Sequence, residues 1–232
     1  TRIGEIAAHL SGLGLKEGAS VAIAAPNSIG SCLMFMGAVY AGFVAVPLNL
    51  VAGPAIIGYT LRHCEAELIF VADECKELIE SAQGEEGLGL RTMRLDLEKG
   101  PVWEGSATTF SSPFHPSSQT IGLLMYTSGT TGKPKGVMLS HNNIVSNVIA
   151  SQERLPLTYG EAKSLSFLPL CHIYERMLQY LYQYKGVNIY FAESLETISD
   201  NLKEVQPEVM SAVPRLLEKV YDKIIAKGSD LT

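Results

Sequence analysis

The sequence predicts an α/β protein built from mostly parallel sheets flanked by helices. Short apolar runs typical of buried strands alternate with segments typical of helices along most of the 232 residues. Regular alternation of this kind favours right-handed crossovers and a parallel sheet that is covered on both faces. Apolar residues make up 47% of the chain, which is enough for a sizeable core.

The first part of the chain, residues 1–97, is expected to form one α/β subdomain. Apolar periodicity and capping residues predict its helices over residues 3–10, 28–41, 54–63 and 73–82. Short apolar runs predict its strands over residues 21–24, 43–46, 68–71 and 91–95. Asp73 is expected to cap the last of these helices.

Residues 98–119 are rich in Ser, Thr, Gly and Pro and are expected to form a connecting loop. The loop contains Trp103, the only tryptophan, which is expected to pin it to the body of the protein. Residues 120–232 are expected to form a second α/β subdomain with strands at 121–125, 137–139, 164–168, 187–191 and 209–212. Its helices are predicted at 141–154, up to Tyr184, at 194–205 and from Pro214 onward, with Val145 and Ile149 on a buried side.

No charged residue occurs between Gly18 and Leu61, so a membrane span has to be weighed. A spanning helix needs about 20 apolar residues, and Gly42 interrupts the run here. A helix ending near Gly42 followed by a buried strand explains the pattern better.

Composition excludes some function classes. The net charge is −6 and no basic stripe stands out, so nucleic acid is not expected as a partner. Four scattered cysteines disfavour zinc and a disulfide framework, and a reducing cytoplasm is the expected location. The start of the chain has no secretory signal pattern.

The segment Tyr126–Val137, which directly follows an apolar strand, is the strongest functional signal. Its small residues let consecutive backbone N–H groups converge into an anion-binding nest, while hydroxyls and two lysines add further donors and charge. This pattern indicates polyphosphate binding. Pro134 stands where a Walker A loop needs Ser or Thr, so a simple P-loop ATPase is disfavoured. A flexible surface loop is the weaker alternative.

A second motif, Phe167-Leu-Pro-Leu-Cys-His-Ile-Tyr-Glu-Arg176, places His172 where a strand passes into a helix. Ligands of parallel α/β sheets bind beyond the carboxyl ends of the strands, so His172 and the segment after Tyr126 could face one crevice. Taken alone, His172 would more often be a helix-terminal or core histidine. Glu175 and Arg176 are expected to make local salt bridges.

Both motifs resemble those of the adenylate-forming superfamily, and the second resembles its long-chain fatty acyl-CoA synthetase branch. Residues 212–221, Ala-Val-Pro-Arg-Leu-Leu-Glu-Lys-Val-Tyr, are similar to the same branch. The chain is therefore identified as part of an amino-terminal domain of that family. Family members carry a Tyr-Gly-x-Thr-Glu segment and a carboxy-terminal lid that this sequence does not contain.

The resemblance implies ATP-dependent activation of a fatty acid to an acyl-adenylate, followed by transfer to CoA. It implies that ATP is bound by Thr127, Ser128, Gly129, Thr130, Thr131, Gly132, Lys133 and Lys135. Of the two lysines, Lys135 is predicted to be the better placed. Thr127 would also reach Mg²⁺, and His172 would border the reacting carboxylate.

Other interpretations stay open at this point. This chain could be a non-catalytic nucleotide- or lipid-binding module, and it is expected to be inactive alone. The whole enzyme could act on another acyl substrate or use a carrier protein as acceptor. Peripheral contact with a membrane for acyl supply is also left open, and the sequence does not predict an oligomeric state.

Overall fold

The computed structural model describes residues 1–103, 115–127, 132–215, 217, 218, 221, 222 and 225. The chain divides into two compact units. The first consists of Thr1–Pro156 with Pro169–Leu181, and the second consists of Leu157–Leu168 with Tyr182–Thr232.

The described residues of the first unit form a seven-stranded sheet with the order β5-β4-β3-β1-β2-β6-β7. The strands are β1 (Ser20–Ala24), β2 (Val44–Pro47), β3 (Ala66–Ala72), β4 (Arg91–Asp96), β5 (Gly100–Pro101), β6 (Ile121–Thr127) and β7 (Lys135–Ser140). Strands β1 to β4 and β6 pair in parallel, whereas β5 and β7 are antiparallel additions at the two edges. The predicted fold class, an α/β protein with mostly parallel sheets, is confirmed.

Helices cover both faces of this sheet. They are α1 (Arg2–Ser11), α2 (Ile29–Tyr40), α3 (Pro54–His63), α4 (Lys76–Glu86) and α5 (His141–Ser151), while α6 (Ile173–Tyr184) begins in the first unit and ends in the second. Successive residues of β1 pack into two different hydrophobic cores. Val21 packs with residues of α1 and α2 in the first core, and Ala22 packs with residues of α3 and α4 in the second core. This alternation is the period of two that a sheet buried on both faces requires.

The long uncharged stretch forms helix α2 and then strand β2, as predicted. A reciprocal capping box starts α2, in which Ser28 and Ser31 each bond the other's backbone N–H at 3.1 Å. Within the part of the chain that the structure describes, no helix has the length and apolar character needed to cross a membrane.

Trp103 lies against the first core, which confirms its predicted role. Its ring stacks on His9 with centroids 4.4 Å apart and meets the edge of Phe70 at 5.6 Å.

The second unit carries a small parallel sheet with the order β10-β8-β9. Its strands are β8 (Lys163–Ser166), β9 (Asn188–Phe191) and β10 (Val209–Met210), and helix α7 covers Ile198–Val205. Leu165, Phe167 and Ile198 form its buried cluster.

The structure divides the chain differently from the predicted subdomains 1–97 and 120–232. Strand β6 pairs in parallel with β2, so the first sheet continues past the connecting loop. Backbone pairing between strands distant in sequence leaves little trace in local composition, which is why composition alone places a boundary at the loop.

Two smaller predictions are wrong. Asp73 does not cap a helix, because residues 73–75 form a 3-10 turn and the Asp73 carboxylate pairs with Arg94 of β4. Val145 and Ile149 on α5 are 52% and 51% exposed rather than buried.

Candidate functional site

A cavity of about 340 Å³ lies beyond the carboxyl ends of strands β2 and β6. The two strands are adjacent and parallel, so the segments that follow them meet at the same edge of the sheet. The cavity is lined by residues that follow β2, by helix α3, by both ends of the β6–β7 connection and by one cysteine: Pro47, Leu48, Asn49, Ala52, Ile56, Ile57, Thr60, Tyr126, Thr127, Gly132, Pro134 and Cys171.

The predicted phosphate loop is the connection between β6 and β7, and its two described ends reach this cavity. Thr127 is the last residue of β6 and is exposed, with Lys135 as its antiparallel partner on β7. Gly132 has φ +91°, a backbone conformation that side-chain-bearing residues rarely adopt, and no atom of the described residues lies within 4 Å of where a Cβ would stand. Ser128, Gly129, Thr130 and Thr131 lie outside the described residues.

Both lysines of the loop are exposed at its outgoing end. The Lys133 ammonium lies 5.4 Å from the centre of the Tyr59 ring on α3. Lys135 begins β7 opposite Thr127. One hydroxyl, one open glycine backbone and two cations therefore stand at the ends of a single connection, which suits a ligand with several negative charges.

Helix α3 also contacts the incoming end of the loop. The phenol oxygen of Tyr126 lies 2.7 Å from Nδ1 of His63, and Tyr59 lies one helical turn before His63. Burial raises the pKa of the Tyr126 phenol, so it keeps its proton throughout the neutral range. Sequence reasoning missed Tyr59 and His63, since their spacing of four shows only a shared helix face and not what that face touches.

The second motif reaches the same cavity through Cys171 rather than through His172. Both backbone groups of Leu170 make hydrogen bonds to side chains. Its N–H donates to Asn27 Oδ1 at 3.1 Å, and its carbonyl accepts from Arg176 Nε at 2.9 Å. His172 follows at the start of α6 with an exposed side chain and is not among the cavity-lining residues. Its proposed role beside the carboxylate stays a prediction.

Arg176 is buried and makes contacts beyond its immediate neighbours. Its guanidinium lies 4.1 Å from the centre of the Phe35 ring on α2, in addition to the bond to Leu170. A stacked, hydrogen-bonded arginine anchors the start of α6 to the first core. The prediction of a purely local salt bridge missed this packing.

The described residues contain no cluster of three or more His, Cys, Asp or Glu side chains that could hold a metal ion. A hard cation such as Mg²⁺ is commonly held by phosphate oxygens and water with one or two protein oxygens. The exposed hydroxyl of Thr127 in the cavity wall is compatible with that kind of site.

The family model for AMP-binding enzymes matches residues 1–231 of this chain. The chain belongs to the AMP-binding enzyme family. It is 32% identical over 205 residues to long-chain-fatty-acid–CoA ligase 5 of Rattus norvegicus, covering 78% of this chain and 30% of the ligase. It is 31% identical over 206 residues to the peroxisomal long chain acyl-CoA synthetase 6 of Arabidopsis thaliana, covering 79% of this chain and 28% of the synthetase.

Solved structures share the fold. The inhibitor-bound amino-terminal domain of FACL13 from Mycobacterium tuberculosis superposes with a TM-score of 0.81 at 23% identity, covering 94% of this chain and 55% of that one. ATP-bound MatB from Rhodopseudomonas palustris gives a TM-score of 0.76 at 23% identity, covering 94% of this chain and 44% of MatB. The chain thus spans under a third of the length of the curated relatives it matches.

Proposed function

We propose that this chain is the ATP-binding part of a ligase that activates a fatty acid as an acyl-adenylate and transfers the acyl group to CoA. The observation that carries the proposal is the meeting of Thr127 and Gly132, the two ends of the predicted phosphate loop, in the wall of one cavity. Membership of the AMP-binding family supports ATP as the nucleotide. The long-chain ligases among the relatives support a fatty acid and CoA as the other substrates.

The chemistry explains why cations and fixed donors are needed here. In the first step a carboxylate oxygen bonds to the α-phosphorus of ATP, and the bond from that phosphorus to the bridging oxygen breaks to release pyrophosphate. Two anions are brought together in this step, so positive charge around the phosphates lowers its barrier. In the second step the CoA thiol loses its proton and its sulfur bonds to the acyl carbon, with AMP as the leaving group.

The residues divide these tasks between them. The backbone around Gly132 and the Thr127 hydroxyl would hold the terminal phosphates, while Lys133 and Lys135 would neutralise them. Mg²⁺, where bound, would supply further positive charge on the phosphate oxygens, with Thr127 as its protein ligand. His172 would border the carboxylate, a role that its neighbour Cys171 supports by lining the same cavity.

The test is carboxylate-dependent exchange of labelled pyrophosphate into ATP, measured with the whole protein of which this chain would be a part. Lys135→Ala and Thr127→Ala should slow the exchange by at least about tenfold, since each removes a charge or donor that acts on the developing charge. Thr127→Ser keeps the hydroxyl and should retain most of the rate. Lys76→Ala removes an exposed lysine of α4 that is paired with Glu80, and it should leave the exchange rate unchanged. Unaltered exchange in the first two variants would refute the assignment of the phosphate loop.

A second candidate concerns the 232 residues alone, for which we propose nucleotide binding without turnover. The chain covers only 30% of the rat ligase, so most of the relative's length has no counterpart here. Calorimetry should detect binding of MgATP to the isolated chain, and a coupled assay should detect no release of AMP. AMP release by the isolated chain would contradict this.

The acyl substrate and the location are separate proposals. Exchange measured with carboxylates of increasing chain length should favour long chains if the resemblance extends to the acyl pocket. Equal rates with short carboxylates would favour an adenylate-forming ligase of another specificity. A cytoplasmic location and peripheral contact with a membrane would be tested by cell fractionation, with a peroxisomal fraction included because two Arabidopsis thaliana relatives are named as peroxisomal.

A further inference from the structure

Helix α3 touches both described ends of the predicted phosphate loop. At the incoming end His63 contacts Tyr126, the residue before Thr127, and at the outgoing end Tyr59 lies under the Lys133 ammonium. Tyr59 and His63 are four residues apart, and their ring centroids are 5.4 Å apart, so they share one face of the helix. The opposite face of α3 is anchored in the core by Ile57 and Leu61, each 1% exposed. A rigidly held helix therefore presents two side chains to the loop.

The contact of His63 with Tyr126 is specific in its geometry. The phenol oxygen lies 2.7 Å from Nδ1, and the two rings meet edge to face at 86°. Because the phenol keeps its proton, it can donate that proton to Nδ1, which leaves the imidazole proton on Nε2. This hydrogen bond ties the end of β6, which also pairs with β7, to helix α3.

A glycine on the neighbouring strand allows the contact. Gly136 of β7 is the cross-strand partner of Tyr126, and the tyrosine ring lies over it. A Cβ at position 136 would come within 3.2 Å of Cζ and 3.4 Å of the phenol oxygen of Tyr126. A side chain at position 136 would press on the Tyr126 ring and on Leu124, so glycine gives the ring room to lie over β7 in the position that meets His63.

We propose that His63 is a positioning residue, which acts through Tyr126 to set the direction in which the phosphate loop leaves β6 for nucleotide binding. The inference rests on the proposed function, because it assigns a task at the same ATP site. His63 itself is exposed and does not line the cavity. Its removal should therefore affect the pose of Thr127 rather than the core.

The experiment measures MgATP affinity of the full chain by calorimetry and its melting temperature by circular dichroism. His63→Ala and Tyr126→Phe should each raise the Kd roughly two- to tenfold, the value of one intramolecular hydrogen bond. The double variant should be no weaker than either single variant, because both remove the same bond. His63→Asn should restore much of the affinity, since its amide oxygen can take the place of Nδ1 as acceptor.

Arg62→Gln is the matched control. Arg62 is the adjacent residue of α3 and pairs with Glu86 on α4, away from the loop. The Arg62→Gln variant should leave the Kd for MgATP unchanged. All the variants should melt within a few degrees of wild type, since the altered side chains are exposed or lose only a hydroxyl. In the whole protein, His63→Ala should raise KM for ATP but not KM for the carboxylate.

The outcomes separate the two proposals. A wild-type chain that binds no MgATP would contradict the proposed function and this inference together. Normal binding by wild type and by His63→Ala would overturn the inference alone. The inference would also be overturned if Arg62→Gln lost as much affinity as His63→Ala. It would likewise be overturned if the loss of affinity in His63→Ala accompanied a fall in its melting temperature.

Discussion

At the scale of single residues, Gly30 marks a close approach of two backbone segments in the first unit. Its N–H donates to the Leu97 carbonyl at 2.7 Å, which docks the first turn of α2 onto the turn after β4. A Cβ at this position would overlap the Asp96 carbonyl oxygen and come within 2.9 Å of the Leu97 carbonyl group. Backbone atoms cannot rotate away as a side chain can, so this position needs glycine.

Gly30→Ala should lower the free energy of unfolding by about 3 kcal/mol, the cost of forcing an extra carbon into a packed site. Gly84→Ala is its control, because Gly84 lies inside α4 and a Cβ added there would meet no described residue within 4 Å. That change should stabilise the protein by about 0.5–1 kcal/mol, since alanine loses less backbone entropy in a helix. Urea denaturation followed by circular dichroism measures both. Equal effects of the two substitutions would contradict the close approach.

The ion pair between Asp73 and Arg94 gives a prediction about pH. Arg94 donates from Nε and Nη2 to the Asp73 carboxylate at 2.6–3.1 Å, and this hydrogen bonding lowers the pKa of Asp73 below its ordinary value of 3.8. Because the pKa of Asp73 is lower in the folded state, the contribution of the ion pair to folding stability is fully present above pH 3.8. It disappears as the pH falls through the pKa of Asp73 in the folded state.

Asp73→Asn should therefore be slightly less stable than wild type at neutral pH, and the difference should vanish at strongly acidic pH. Unfolding midpoints measured from neutral to acidic pH would show this convergence. The effect is small because both side chains are exposed. A stability difference between the two proteins that grows as the pH falls would show that the pKa of Asp73 is not lowered in the folded state.

At the scale of elements, α2 depends on its capping box. The helix has no acidic residue in its first turn and no basic residue in its last, so Ser28 and Ser31 supply the polar groups that begin it. Ser28→Ala should cost about 1 kcal/mol of stability, since it leaves a backbone N–H near the helix start without its partner. Ser146→Ala, in the exposed middle of α5, should change stability by less than about 0.5 kcal/mol. Denaturant midpoints of the two variants provide the comparison, and similar losses in both would argue against a special role for the cap.

Element prediction succeeds where local pattern decides the outcome. The uncharged stretch divides correctly into α2 and β2 because Ser28 signals a start and Gly42 a stop. The 3-10 turn at Asp73 cannot be predicted in the same way, because its ionic partner Arg94 lies on another strand. Likewise, the sequence of Tyr126–Val137 indicates phosphate binding, but nothing in it connects Tyr126 with His63. Sites held by contacts between distant segments need coordinates.

At the scale of the whole molecule, β7 is an edge strand among the described residues. It carries exposed apolar side chains, with Val137 at 42% and Met138 at 68% exposure. An exposed, apolar strand edge is a template for pairing with another chain. The chain alone is therefore expected to self-associate as its concentration rises.

Met138→Lys should reduce this association, because a charge on an edge strand opposes pairing. Val51→Lys introduces the same charge at a residue that is 90% exposed and outside any strand, so it serves as the control. Sedimentation velocity over a range of protein concentrations would measure both. Equal suppression by the two variants would indicate a general charge effect and not an effect of the edge.

The place of β6 beside β2 has a consequence for how the protein is made. Leu123 pairs with Ala45, so the strand that leads into the loop can dock only on a part of the sheet encoded far upstream. Non-local pairing of this kind forms late, because a long segment of chain must first be brought together. A nascent chain still short of Thr127 lacks part of the wall of the cavity in which we propose that ATP binds. Melting of the central strands and loss of this cavity should then occur as one event.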